Sequence, residues 1–203
     1  MTQSDRPAFR RPAMLWPEVA ESFGADTDPS KHSHFAHATA WALMGLPDSD
    51  LGENSVEDLR GIARSGRLHM VAALWAQSPP FTLPGAFWRL FLLHEWYRNQ
   101  PDQVAASYAR GSEAEVIPGL ERPVRIPDLG GVIGDIHTAL TGGLSEDDLA
   151  PLMSETARVL RILAAGEGWV DFDPTNTVRA QALLSNAEDL DQAANEAEAG
   201  TLE

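Results

Sequence analysis

The 203-residue chain contains no cysteine. Disulfides, thiolate metal ligands and cysteine nucleophiles are therefore excluded together. Lysine is almost as scarce: Lys31 is the only one among 15 basic residues, which face 30 acidic ones. The formal charge of −15 repels phosphate backbones and anionic lipid surfaces, so nucleic acid is not an expected partner. Long apolar runs are also missing. The longest, around Phe87–Leu93, is interrupted by Arg89 and falls far short of the ~20 residues of a membrane span. No apolar stretch follows Arg6, Arg10 and Arg11, so no export signal and no membrane association are expected, and the cytoplasm is the default location.

Catalytic signatures are absent in the same way. The sequence has no Gly-x-Ser-x-Gly elbow, no Gly-x-x-x-x-Gly-Lys phosphate loop and no His-Glu-x-x-His zinc pair. Gly130-Gly131-Val132-Ile133-Gly134 lacks the dinucleotide-binding spacing and a preceding strand, and reads as a loosened helix entry. No segment sustains the period-two alternation of a half-buried strand.

What is present is helical. Proline after a capping residue marks helix starts at Asp28-Pro29 and Asp173-Pro174, and Ser145-Glu146-Asp147-Asp148 reads as a capping box. Ser55 and Asp58 suggest another cap, opening a stretch over 56–77 that is either one helix or two joined at Ser65-Gly66. Amphipathic helices are expected over 29–44, 146–165 and 174–184. Between Pro84 and Arg98, Phe87, Trp88, Leu90, Phe91, Leu92, Leu93, Trp96 and Tyr97 leave almost no polar face. A helix apolar all round is buried all round, so this one is expected at the centre of the fold. Residues 112–127, with Pro118, Pro123 and Pro127, form the longest connection and hold the only strand-like pieces. The expectation is an all-α, irregular multi-helix bundle around a buried central helix at about 84–98. It consists of an N-terminal arm (1–13), one helical domain (14–186) and an acidic, disordered C-terminal tail (187–203).

Histidines supply the chemical candidates. His34 and His37 lie one turn apart, a spacing at which two imidazoles can share a divalent metal. His94 and Glu95 interrupt the most apolar helix, where burying them without partners is costly. A metal site would draw on His34, His37 and His94, with His69 or His137 as further donors. His94 and Glu95 are the catalytic candidates, activating water on the bound ion. The competing reading is structural: the 32–37 histidines ring a helix N-terminus, and Glu95 pairs with Arg98 or Arg89. Trp41, Trp75, Trp88 and Trp96 fall at core positions, whereas Trp16 and Trp169 sit near helix ends.

Two functional classes follow. The first is a non-enzymatic binding or regulatory module, acting through protein contacts or a small apolar ligand. A protein partner, a second copy of the chain included, is its natural ligand. The basic arm and the acidic tail are opposite in sign, so each could meet its complement. The second is a metal-assisted enzyme using the His/Glu set.

Overall fold

The computed structural model describes residues 29–45, 53–168 and 174–202. The expected arm at 1–13, Asp28, Trp16, Trp169 and the Asp173 cap lie outside them. The described residues form helices α1 (Pro29–Leu43), α2 (Glu53–Ile62), α3 (Leu68–Trp75), α4 (Leu83–Asn99), α5 (Pro101–Ser112), α6 (Leu129–Leu140), α7 (Leu149–Gly168) and α8 (Pro174–Glu198). Among them the strand-like pieces of 112–127 reduce to one isolated bridge, Ile117 with Leu120. The fold is an all-α multi-helix bundle, and no described helix is long and apolar enough to cross a membrane.

Local chemistry explains the helix ends. Thr82 caps α4: its hydroxyl accepts from the Gly85 amide at 3.3 Å and donates to the Pro79 carbonyl at 2.8 Å. Asp128 caps α6 through the Gly131 amide at 2.9 Å. The 56–77 stretch is two helices, joined by a π-helical turn at Ala63–Arg67 where Gly66 takes φ +80°. Only glycine adopts that conformation without strain. Ser55 lies within α2, which begins at Glu53 rather than after it.

Helix α4 packs against α1, α3, α5, α6, α7 and α8, as a central helix should. Its burial is complete through Leu83–Phe87 and at Leu90, while Leu92 is exposed and Trp88, Trp96 and Tyr97 are half-buried. Trp75 meets Phe87 edge to face, with ring centroids 5.4 Å apart, and its indole N–H donates to Thr39 Oγ1 at 3.0 Å. One wholly buried tryptophan thereby ties α3 to α4 and α1. The longest buried stripe belongs instead to α7, where Leu152, Met153, Val159, Leu160, Ile162 and Leu163 all lie inside.

The C-terminal segment departs from expectation. Residues from 187 on were expected to be disordered, yet α8 continues to Glu198 and buries Ala187, Leu190, Ala193 and Ala194. The stretch has too few large apolar groups to fold alone, but alanines suffice where α7 offers a close, continuous facing surface. Ion pairs fasten the same helix. Arg89 of α4 donates from Nε and Nη2 to Asp189 Oδ2 at 2.8 and 2.6 Å, and Arg161 of α7 meets Asp191 at 2.7 Å.

Helices α5 and α7 cross through glycine. A Cβ at Gly111 would stand 1.8 Å from the Ile162 carbonyl oxygen, and one at Gly166 would stand 1.9 Å from that of Ser107. Only side chains reduced to hydrogen allow these backbones to touch. Glu167 lies beside the crossing, 4% exposed. It accepts from the Ser107 hydroxyl and pairs with Arg179 of α8 at 3.0 Å, with Arg110 of α5 at 4.0 Å.

Candidate functional site

The sequence candidates for metal chemistry do not assemble into one site. His37 donates from Nδ1 to the Ser33 carbonyl, 2.8 Å away and one turn back. His34 is exposed on the same helix, whose buried side is made by Ala36, Thr39, Ala40 and Leu43. His94 stacks on His137 of α6, with centroids 5.4 Å apart and planes 21° apart. Glu95 pairs with Arg98 at 2.8 Å and stands 3.7 Å from His94 Nδ1. Among the described residues no group of three or more His, Asp or Glu side chains is placed to hold a metal ion. The Arg98 partner of Glu95 is one of the two that the structural reading named.

The His94–His137 pair has electrostatic character nonetheless. His94 Nδ1 is buried without a hydrogen-bond partner. Burial holds its pKa below the ordinary 6.5; nearby His137 and Arg98 push it the same way, and Glu95 opposes them. Tyr108 is similarly withdrawn from water. Its hydroxyl donates to the Pro127 carbonyl at 2.7 Å, and burial, with Glu155 and Asp128 nearby, raises its pKa to about 12. Neither group lines a groove described below.

The surface features that stand out are two open grooves beside the first turns of α7, with Pro151 lining both. The first, about 500 Å³, runs between α6 and α7. Four carboxylates line it, but three already have partners: Asp128 caps α6, Asp148 bonds the Ser145 hydroxyl at 2.5 Å, and Glu155 pairs with Arg125 at 2.9 Å.

The second groove, about 450 Å³, is bounded by α1, the start of α7 and the end of α8. Its apolar lining comes from Trp41, Leu149, Ala150, Pro151, Ala197 and Leu202. Glu146, Asp147 and Glu198 add negative charge, and among the described residues no arginine or lysine lines it. None of these three carboxylates has an ion-pair or hydrogen-bond partner among the described residues. Glu146 and Asp147 lie in the short 3-10 turn that leads into α7, where the positive end of the helix dipole favours anions. That placement accounts for two of the charges but not for Glu198, which arrives from the far end of another helix.

Most of the described arginines have partners elsewhere in the fold. Arg64, Arg89, Arg98, Arg125, Arg161 and Arg179 each pair with a carboxylate, and Arg122 donates to the carbonyls of Ala114 and Glu115. Three of these pairs, from Arg89, Arg161 and Arg179, join one helix to another.

Sequence reasoning missed this groove. Glu146 and Asp147 were visible only as a helix-start signal, Trp41 only as core, and Glu198 only as part of a solvated tail. Glu167 was missed as well, because nothing in a Gly-Glu-Gly helix end signals burial. No protein-family model, curated protein or solved structure matches the chain.

Proposed function

We propose that the protein is a non-enzymatic binding module whose α7–α8 groove takes a cationic, amphipathic segment of a partner protein. The observation that carries this reading is one apolar groove walled by three carboxylates that have no partner among the described residues. A bare carboxylate beside an indole and leucines suits a ligand with an apolar face and an arginine or lysine edge. A small apolar ligand is the poorer fit, since such ligands call for largely apolar, enclosing pockets. The net charge of −15 supports the same polarity by steering cationic partners inward from a distance.

The test is a fluorescence-anisotropy titration of the full chain with a labelled 14-residue Leu/Lys amphipathic peptide. Binding is expected at low salt, weakening several-fold between about 50 and 300 mM NaCl as exposed charges are screened. The variant Glu146→Gln/Asp147→Asn/Glu198→Gln is expected to weaken binding at least about tenfold, which corresponds to ~1.4 kcal/mol. A control carries the same charge change at carboxylates that line neither groove, Asp58→Asn/Asp102→Asn/Glu113→Gln, and should stay within about twofold of the parent. Equal losses in both variants would show that net charge alone draws the peptide, and the groove reading would fall.

A further inference from the structure

We infer that the resident occupant of the α7–α8 groove is the stretch 6–16 of this same chain. The inference rests on the reading of that groove as a site for basic, amphipathic segments. The stretch has the matching chemistry: it carries Arg6, Arg10 and Arg11 together with Phe9, Leu15 and Trp16. Nowhere else in the sequence do three arginines fall within six positions, and no acid stands between Asp5 and Glu18. The groove presents the complement: around Trp41, Leu149 and Leu202 stand three carboxylates without a partner among the described residues.

Chain geometry permits the contact. Trp41 lies on α1, which begins at Pro29, so the groove is roughly 18 Å along the helix axis from that start at ~1.5 Å per residue. The 20 residues that separate Phe9 from Pro29 can span at most ~70 Å, well beyond that distance. Because the segment belongs to the same chain, its docking is intramolecular and is favoured over that of a separate peptide. A partner segment must then compete with the chain's own. The groove is guarded, and its apparent affinity for any outside ligand is lowered by the occupied fraction.

The chain's lack of cysteine makes a direct test clean. Phe9→Cys/Ala197→Cys pairs the segment with a groove residue, and Phe9→Cys/Val116→Cys pairs it with an exposed loop position that does not line the groove. Each full-length variant is oxidised with a glutathione redox buffer at about 1 μM. Disulfides are followed by non-reducing electrophoresis and peptide mass mapping. The intramolecular 9–197 linkage is expected to form at least about tenfold faster than 9–116. It should be slowed by 0.5 M NaCl, by Glu146→Gln/Asp147→Asn/Glu198→Gln, and by an excess of the Leu/Lys peptide. Equal rates for the two pairs would overturn the inference, and so would 9–197 linkages found only between molecules. If the Leu/Lys peptide binds the groove while 9–197 forms at the control rate, self-docking alone fails. If the peptide also ignores the groove carboxylates, the proposed function fails with it.

Discussion

Gly166→Ala puts the α5–α7 crossing to the sharpest test. The new Cβ would stand 1.9 Å from the Ser107 carbonyl oxygen. Non-bonded carbon contacts settle near ~3.5 Å, so the two backbones must separate by roughly 1.5 Å. Neither backbone can rotate away, as a side chain would. Overpacking of this kind costs about 1–3 kcal/mol. Separation also strains the hydrogen bond from Ser107 to buried Glu167 and that from Arg110 to the Gly166 carbonyl, at 3.3 Å. Hydrogen bonds to a charged group contribute about 1.5–3 kcal/mol each. Against these losses stands the better helix propensity of alanine, worth about 1 kcal/mol. The net expectation is a loss of about 2–4 kcal/mol, or roughly 5–15 °C in Tm for a chain of this size.

Urea and thermal unfolding followed by circular dichroism would measure the loss. Gly134→Ala supplies the internal control: it lies within α6, and an added Cβ would meet nothing within 4 Å. It should stabilise the protein by about 0.5–1 kcal/mol. If Gly166→Ala matched Gly134→Ala, the close backbone approach of α5 and α7 would be refuted, and with it the positioning of Glu167.

Two further outcomes follow from buried ionisable groups. His94 has a lowered pKa in the folded state, so the unfolded chain binds the proton first as pH falls. The neutral imidazole's stability contribution is full above the unfolded pKa of ~6.5 and erodes as pH drops from there towards the lower folded value. His94→Phe should therefore flatten the decline in Tm between about pH 7 and pH 5; an unchanged slope would mean that His94 does not titrate as its surroundings dictate. Glu167→Gln should cost about 1–2 kcal/mol in urea unfolding, less than a fully buried pair, because Arg179 and Arg110 are 41% and 46% exposed and can turn to water. A neutral or stabilising result would show that the Glu167 carboxylate does not bind these helices together.

Helix starts and stops were written locally. Proline and capping residues set the beginnings of α1, α4, α5, α6 and α8, and Gly66 sets the break between α2 and α3. These signals act within one or two turns of the chain, so they can be read without knowing what packs where. The absence of period-two alternation decided against a sheet for the same reason. The apolar segment at 84–98 announced a central helix, and Leu83–Asn99 contacts most of the bundle.

Pairings between distant residues were decided only by the tertiary structure. The alanines near the end of α8 are too small to advertise a core, and become one because α7 runs beside them. Gly111 and Gly166 carry no sign that they face each other 55 residues apart. His94 and Glu95 were chemically conspicuous, but their partners determined what they do, and these proved to be His137 and Arg98. The acidic groove joins Trp41, the 146–151 turn and the 197–202 end of the chain. Each piece has an ordinary local explanation; only the bundle sets these three carboxylates around one apolar floor.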